Sequence, residues 1–171
     1  RILEWMRALP RFSRGAVIRF PVFRTAAFNF PSNPGQRGRM GHSFQVGIIT
    51  ISDRASNGEY EDFGGPALRS ACEARRWTVL AEAIVPDDLE QIQRTIRSFC
   101  AQGCGLILTT GGTGIALRDV TPEAIRGIMR VEIPGFGETM RMRSLEITPN
   151  AVLSRSLAAV VDTALVIALP G

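Results

Sequence analysis

Of the 171 residues, 45% are hydrophobic, which is enough for a real core, and a chain of this length is expected to form one domain. No stretch approaches the roughly 18 uncharged apolar residues that a membrane-spanning helix needs, so we expect no membrane partner. The three cysteines and the single histidine are too few for a disulfide framework or a structural zinc site, and they fit a reducing, cytoplasmic setting.

The net charge of +4 hides a strong asymmetry along the chain. Residues 1–43 hold eight arginines against a single acidic residue, Glu4, whereas residues 44–171 hold twelve arginines against fifteen acidic residues. The basic segment contains no motif for reading bases or RNA, so we expect no nucleic-acid partner. Every basic residue is an arginine, which excludes the lysine-containing phosphate loop GxxxxGK[ST].

Residues 1–43 differ in composition from the rest of the chain, being rich in Arg, Phe and Pro. We expect them to be a disordered or non-native N-terminal extension, with Met40 as a candidate true start. An Arg-rich, acid-poor organellar transit segment and a weak arm for anionic surfaces remain open alternatives. The folded domain is predicted over residues 44–171.

From residue 44 onward, strand and helix patterns alternate. FQVGIITIS is a buried strand pattern, GPALRSACEARR a helix, WTVLAEAIV a second strand, and PDDLEQIQRTIRSFCAQG an amphipathic helix. The core face of that helix is predicted to contain Leu89, Ile92, Ile96 and Phe99. GLILTT is a third strand and TPEAIRGIMR a helix. This alternation predicts an α/β fold with a mostly parallel sheet covered on both faces, whose ligands bind beyond the carboxyl ends of the strands.

The tail of the chain changes character. IPGFGETMRMRSLEI and TPNAVLSR are predicted to be helical, because each follows a Pro or Gly signal. LAAVV and ALVIALPG are strand patterns around Asp162 and Thr163, which predicts a hairpin.

The sequence TTGGTG, residues 109–114, directly follows the third strand. Three glycines at this place predict a backbone that turns sharply or admits a ligand very closely. Backbone N–H groups and small hydroxyls suit the oxygens of a phosphate or a pterin. A tight strand-to-helix turn with no ligand is the alternative.

Five blocks of sequence resemble the molybdopterin adenylyltransferase family, also called MogA/MoaB-like, which includes the G domain of gephyrin. The blocks are TISDRASNGEYEDFGGPAL (50–68), TTGGTGIALRDVTPEA (109–124), IPGFGETMR (133–141), TPNAVLSR (148–155) and the closing LPG. The resemblance implies a three-layer α/β/α molybdopterin-binding domain that assembles as a homotrimer. It also implies adenylyl transfer from Mg-ATP to molybdopterin, giving adenylylated molybdopterin and pyrophosphate, with hand-over to a molybdenum insertase.

The resemblance also implies the site residues. Asp87 and Asp119 match the two catalytic aspartates of the family and are expected to hold Mg²⁺. This agrees with the chemistry, because adenylyl transfer builds charge on phosphoryl oxygens and magnesium prefers one or two carboxylates plus waters and phosphates. The residues expected to bind nucleotide and pterin are Ser52, Asp53, Thr110, Gly111, Gly112, Thr113, Gly114, Arg118, Glu138, Arg141 and Ser144.

Each of these assignments has a structural alternative. Asp87 fits the N-cap of the following helix, with Glu90 at the capping-box position. Asp119 fits a residue that braces its own loop, and Arg118 and Arg141 fit solvated surface charges. Ser52 with Asp53 fits an ordinary turn at a strand end.

The chain departs from the family pattern where it ends, at LPG, because the family continues there with a Gly/Pro loop and a further helix. We therefore expect the domain to be truncated at its C-terminus. This keeps a second function open, a non-catalytic pterin-binding or scaffold module, or an inactive fragment of the same family. A CinA-type enzyme on the same fold is a third alternative, against which the SDRAS, PGFGE and LSR blocks weigh.

Overall fold

The computed structural model describes residues 44–170, so the predicted basic extension, residues 1–43, lies outside the described residues. Six strands form one sheet in the order β2-β1-β3-β6-β5-β4. Their bounds are Gln45–Ile51 (β1), Thr78–Val85 (β2), Leu106–Thr110 (β3), Val131–Glu132 (β4), Leu157–Val161 (β5) and Ala164–Leu169 (β6). Only the two-residue β4 has no counterpart in the predicted strands.

Most of the sheet is parallel, as predicted. The strands β2, β1, β3 and β6 run in the same direction, while β5 is antiparallel to β6 and β4 is antiparallel to β5. The predicted hairpin is confirmed, since β5 and β6 pair directly and Asp162 in their turn has a φ of 49°. Aspartate is among the residues that tolerate this left-handed conformation.

Helices cover both faces of the sheet. The helices are α1 (Asp53–Ser56), α2 (Gly64–Ala74), α3 (Leu89–Ala101), α4 (Thr121–Arg126) and α5 (Pro134–Leu145), and a 3₁₀ helix follows at Pro149–Leu153. One hydrophobic core joins α3 and α4 to the sheet, and the other joins α2 and α5 to its opposite face. The predicted three-layer α/β/α arrangement is therefore confirmed. In the described part of the chain, no helix is long and apolar enough to cross a membrane.

The core face of α3 matches its sequence pattern except at one position. Ile92, Ile96 and Phe99 are buried, but Leu89 is 40% exposed. The prediction that Leu89 belongs to the core was wrong, since this first residue of the helix is left exposed. An apolar residue in the periodic position of a helix is buried only where another layer covers it.

The cysteines behave as apolar side chains. Cys72 and Cys104 are buried, Cys100 is half-buried, and all three are free thiols. Burial raises the pKa of Cys72 and of Cys100 to about 11, so neither thiol forms a reactive thiolate at neutral pH.

Candidate functional site

Three neighbouring strands end at the same edge of the sheet. Asp53 follows β1 by two residues, Asp87 follows β2 by two residues, and Gly111 follows β3 directly. Because these strands are parallel and adjacent, their carboxyl ends bring the three segments together. Ligands of open α/β sheets bind at these carboxyl ends of the strands.

The backbone of the glycine loop needs glycine at two positions. Gly111 and Gly112 have φ values of +100° and +61°, a region that side chains with a Cβ rarely adopt. A Cβ on Gly111 would collide with the carbonyl oxygen of Ile51, and one on Gly112 would collide with Oγ1 of Thr121. The Thr121 hydroxyl donates to the carbonyl of Gly111 at 3.0 Å, and its N–H donates to the carbonyl of Gly112 at 3.1 Å. The loop is thus a tight turn fixed between β1 and α4.

The same loop also forms one wall of a cavity of about 490 Å³. The predicted residues that line this cavity are Gly111, Gly112, Thr113, Gly114, Asp119 and Ser144. The opposite wall is formed by the end of α5 and the 3₁₀ helix and is mostly apolar, with Ile147, Ala151 and Leu153. The tight turn is therefore confirmed and the loop lies beside a cavity, while the close approach of a ligand to it stays a prediction.

Asp87 is not the N-cap of α3. The cap is Asp88, whose carboxylate accepts the N–H of Gln91 at 2.8 Å. The capping alternative for Asp87 is therefore wrong, because the chain turns into the helix one residue later. Oδ2 of Asp87 instead accepts the N–H of Asp53 at 3.0 Å, and its Oδ1 lies 2.7 Å from the place a Cβ on Gly112 would occupy.

The surroundings of Asp87 disfavour its charged form. Burial raises the pKa of the Asp87 carboxyl, and the nearby negative charges of Asp53 and Asp119 raise it further. The hydrogen bond from the N–H of Asp53 lowers this pKa, and Arg118 lowers it more weakly, but the net effect is a raised pKa. A carboxylate with this balance is stabilised by any cation that binds beside it.

Asp53 and Arg118 form a two-pronged ion pair. Nε of Arg118 donates to Oδ2 of Asp53 at 2.9 Å, and Nη2 donates to Oδ1 at 2.7 Å. The N–H of Asp87 also donates to Oδ1 of Asp53, at 3.0 Å. The Arg118 hydrogen bond lowers the pKa of Asp53. Arg118 is therefore not simply a solvated charge, since it is tied to the end of β1.

Ser52, also predicted at this site, has a local role. Its Oγ accepts the N–H of Ala55 at 3.3 Å and caps α1. Thr110 is buried beneath the loop, and its hydroxyl lies 3.5 Å from the carbonyl of Pro170. Neither side chain lines the cavity. Their predicted contacts with a ligand stay predictions.

Asp119 lies on the cavity side of the loop. Its Oδ2 accepts the N–H of Ala116 at 2.8 Å and lies 2.8 Å from the place a Cβ on Gly114 would occupy. One carboxylate oxygen thus braces the loop, as the alternative proposed. Oδ1 accepts no hydrogen bond from any residue between 44 and 170, so it is available to a ligand.

The three residues predicted on α5 are placed differently from one another. Ser144 lines the cavity. Nη1 of Arg141 donates to the carbonyl of Ser156 at 3.1 Å, so its guanidinium faces the backbone and does not line the cavity. Glu138 is exposed and also does not line it. The roles of Glu138 and Arg141 in binding stay predictions.

Sequence reasoning missed Arg155 as a residue of this site. Its N–H donates to the carbonyl of Thr113 at 2.8 Å and its Nε donates to the carbonyl of Gly114 at 2.6 Å. Its two remaining nitrogens donate to the carboxylate of Glu123 and to the carbonyl of Asp119. Arg155 lies in the TPNAVLSR block, but the partners of its side chain are 32 to 41 residues away, so no local pattern identifies them.

Two carboxylates of the site keep an oxygen that a magnesium ion could take. Among the described residues, no group of three or more His, Cys, Asp or Glu side chains could hold a metal ion. Asp87 and Asp119 each keep Oδ1 free of hydrogen bonds from that part of the chain. Two hard oxygen donors are what magnesium takes from a protein when waters and phosphates supply the rest.

Comparison with known proteins identifies the family. Residues 47–171 match the family described as a probable molybdopterin binding domain. The molybdopterin adenylyltransferase of Helicobacter pylori strain J99 is 42% identical over 132 residues, covering 75% of this chain and 75% of that protein. Gephyrin of Dictyostelium discoideum is 38% identical over 149 residues, covering 81% of this chain and 21% of that protein.

A solved structure agrees with these relatives. The molybdopterin biosynthesis enzyme MoaB from Thermus thermophilus superposes with a TM-score of 0.70 at 43% identity, covering 75% of this chain and 81% of that one. The match of sequence and fold leads to one conclusion. This chain belongs to the molybdopterin-binding domain family, among relatives that are molybdopterin adenylyltransferases.

Proposed function

We propose that this chain is a molybdopterin adenylyltransferase of molybdenum cofactor biosynthesis. It transfers the adenylyl group of Mg-ATP to molybdopterin, giving adenylylated molybdopterin and pyrophosphate. The observation that carries the proposal is the glycine loop, which packs closely against the carboxylates of Asp87 and Asp119 and forms the wall of a cavity. The identity of 42% to relatives with this activity supports it.

The reaction needs little acid–base chemistry from the protein. An oxygen of the molybdopterin phosphate forms a bond to the α-phosphorus of ATP, and the bond from that phosphorus to the bridging oxygen breaks. Pyrophosphate leaves with the electron pair. A phosphate monoester loses its second proton with a pKa of about 6, so the attacking oxygen is already ionised at neutral pH. The protein therefore acts mainly by positioning its substrates and by electrostatics.

The charged residues beside the glycine loop fit that task. Asp87 and Asp119 would hold the magnesium through their free Oδ1 atoms, and Asp53 keeps Asp87 in place through its N–H. Bound magnesium would neutralise the charge that develops on the phosphoryl oxygens. The guanidinium of Arg118 adds a fixed positive charge beside these carboxylates and attracts the polyphosphate.

The cavity fits the pterin substrate. A volume of about 490 Å³ is within the usual range for small-molecule sites, which runs from about 300 to 1,000 Å³. Ile147 and Leu153 offer an apolar surface to a flat ring, and Ser144 offers a hydroxyl to its polar edge. The phosphate of the same molecule then reaches the glycine loop.

Assembly, partners and setting follow from the same proposal. A homotrimer, a cytoplasmic setting and hand-over of the product to a molybdenum insertase are proposed from the family resemblance. The similarity to gephyrin and to a bifunctional molybdenum cofactor biosynthesis protein of Synechococcus elongatus supports a link to the insertase. Sedimentation equilibrium of the purified chain tests the trimer directly.

The decisive experiment is a coupled assay of pyrophosphate release with molybdopterin, ATP and magnesium. We expect release that depends on all three components, together with an adenylylated product detected by mass spectrometry. A reaction with EDTA in excess of magnesium is the control. Tight molybdopterin binding without pyrophosphate release would instead identify the chain as a pterin-binding module.

A further inference from the structure

We infer that Arg155 is a positioning residue that fixes the segment 114–119 and, through it, the carboxylate of Asp119. The part of the inference that concerns magnesium rests on the proposed function. The segment carries two predicted site residues, Arg118, which pairs with Asp53, and Asp119, which lines the cavity.

A single guanidinium holds both ends of this segment. Nε of Arg155 donates to the carbonyl of Gly114 at 2.6 Å, and Nη2 donates to the carbonyl of Asp119. The third nitrogen, Nη1, pairs with the carboxylate of Glu123 in α4, which keeps the guanidinium from rotating. The side chain thus closes a six-residue loop and attaches it to a helix.

Besides Arg155, the segment is anchored at Arg118, whose guanidinium pairs with the carboxylate of Asp53 at the end of β1. The tip of the segment projects into solvent, with Ile115 at 68% and Leu117 at 100% exposure. Within the segment, the N–H of Ala116 bonds to the carboxylate of Asp119, and the N–H of Asp119 bonds to the carbonyl of Ala116. Packing contributes little here, and the Arg118 pair fixes the neighbouring side chain, whereas Arg155 bonds directly to the backbone carbonyl of Asp119.

Arg155 also connects the two walls of the cavity. It follows Ser154, which lines the wall opposite the glycine loop, and its own N–H donates to the carbonyl of Thr113 in that loop. The backbone of Arg155 thus joins the two walls next to the side chain that bonds to Asp119.

Only arginine can make this set of contacts. Its planar fork presents donors in several fixed directions, whereas the ammonium of lysine is a single point charge on a flexible stem. Lysine at position 155 keeps the charge and most of the apolar stem, so it retains the ion pair with Glu123 but cannot reach Gly114 and Asp119 together. Arg155→Lys thus removes the paired hydrogen bonds to Gly114 and Asp119 while it keeps the positive charge.

The test measures two properties of the full chain for Arg155→Lys. The first is amide hydrogen exchange of the segment 114–119 without ligands, which we expect to be several-fold faster because hydrogen bonds of about 1 kcal/mol are lost. The second is the magnesium concentration that gives half-maximal pyrophosphate release. We expect it to rise about tenfold, since the loss of groups that orient metal ligands weakens metal binding by about 10–100-fold.

Two further variants control for indirect effects. Arg69→Lys breaks a similar two-pronged pair, with Glu82 at the edge of the sheet, and should leave both measurements unchanged. Glu123→Gln removes the ion pair of Arg155 but leaves its hydrogen bonds to Gly114 and Asp119. It should raise the exchange rate and the magnesium requirement as well, by a smaller factor.

The outcomes are distinct. Faster exchange together with a raised magnesium requirement supports the inference. Faster exchange with an unchanged magnesium requirement overturns it, because Arg155 is then only a brace, and unchanged exchange overturns it as well. If the wild-type chain releases no pyrophosphate, the proposed function fails separately, and exchange alone decides whether Arg155 fixes the segment.

Discussion

The two sides of the glycine loop are built in different ways. On the side of β1 and β2, charged groups bond to one another, with Asp53 joined both to Arg118 and to the N–H of Asp87. On the cavity side, the facing wall is largely apolar, with Ile147 and Leu153. One side is a network of fixed charges, and the other is a surface for burying a ring.

The difference follows from where each side comes from in the fold. The charged side consists of the ends of parallel strands, whose register leaves little freedom of position. The apolar side comes from the end of α5 and the 3₁₀ helix, outside the sheet. A site of this kind separates the reaction, which needs accurately placed charges, from recognition of the pterin, which needs area and shape.

The largest effect is expected at two carboxylates, Asp87 on the charged side of the glycine loop and Asp119 on its cavity side. Asp87→Asn and Asp119→Asn should each lower the rate of pyrophosphate release by on the order of 10²–10³, because an amide lacks the charge that magnesium requires. The rate of the double variant should fall by far less than the product of the two single reductions, since both carboxylates serve one ion. Steady-state kinetics at saturating substrates measure this.

Asp88→Asn is the matched control for these variants. Asparagine caps a helix as well as aspartate does, so both the rate and the melting temperature should stay near wild type. Wild-type turnover in both Asp87→Asn and Asp119→Asn would contradict the catalytic assignment and favour the binding-module alternative.

The next effect tests the loop that separates the two sides. Gly112→Val should weaken ATP and molybdopterin binding by on the order of 100-fold, because valine is strained at a φ of +61° and its Cβ meets Asp87 and Thr121. Isothermal titration calorimetry measures the affinity, and circular dichroism checks the fold. Gly135→Ala, where an added Cβ meets nothing within 4 Å, is the control. Unchanged affinity in a folded Gly112→Val would mean that the loop is only a turn.

A smaller effect is expected on the apolar side. Leu153→Ala should raise the KM for molybdopterin about threefold and leave the KM for ATP unchanged, because it removes only part of an exposed apolar wall. Val152→Ala changes a neighbour that does not line the cavity and should affect neither constant. Equal changes in both KM values for Leu153→Ala would show that the two sides are not separate.

The smallest effect concerns stability. Because the folded state raises the pKa of Asp87, the unfolded chain holds this proton less tightly, and the ionised carboxylate destabilises the fold above its folded pKa. Without magnesium, Asp87→Asn should therefore raise the melting temperature at pH 7 by about 1–3 °C. The difference should disappear as the pH falls below the ordinary aspartate value of 3.8. A lower melting temperature at pH 7 would contradict the unfavourable placement of this charge.

The sequence predicted the features that depend on nearby residues. The strands, the main helices and the hairpin at Asp162 follow from hydrophobic periodicity and turn signals, which act over a few positions. Two neighbouring aspartates both fit the capping pattern of α3, and only the backbone conformation selects Asp88. Leu89 fits the helical period, but burial depends on the layer above it.

The contacts within the site were less accessible to sequence reasoning. Arg118 and Asp53 are 65 residues apart, and Arg155 is 41 residues from Gly114. Such pairs form only when the strands are placed in order, so the pattern of either segment alone carries no sign of them. The resemblance to a family indicated that these blocks matter, and the structure indicates which atoms they join.

The position of β6 has a consequence for the order in which the domain forms. Strands β2, β1 and β3 all lie within residues 45–110 and can pair with one another as soon as that part of the chain has been synthesised. The cavity wall must wait for α5, the 3₁₀ helix and β6, which pairs with β3 from Leu165 to Leu169. Contacts between distant segments form late because closing long loops is slow. The ends of β1 and β2, with Asp53 and Asp87, can therefore come together before the cavity wall does, so we expect the ability to bind a pterin to arise late in folding.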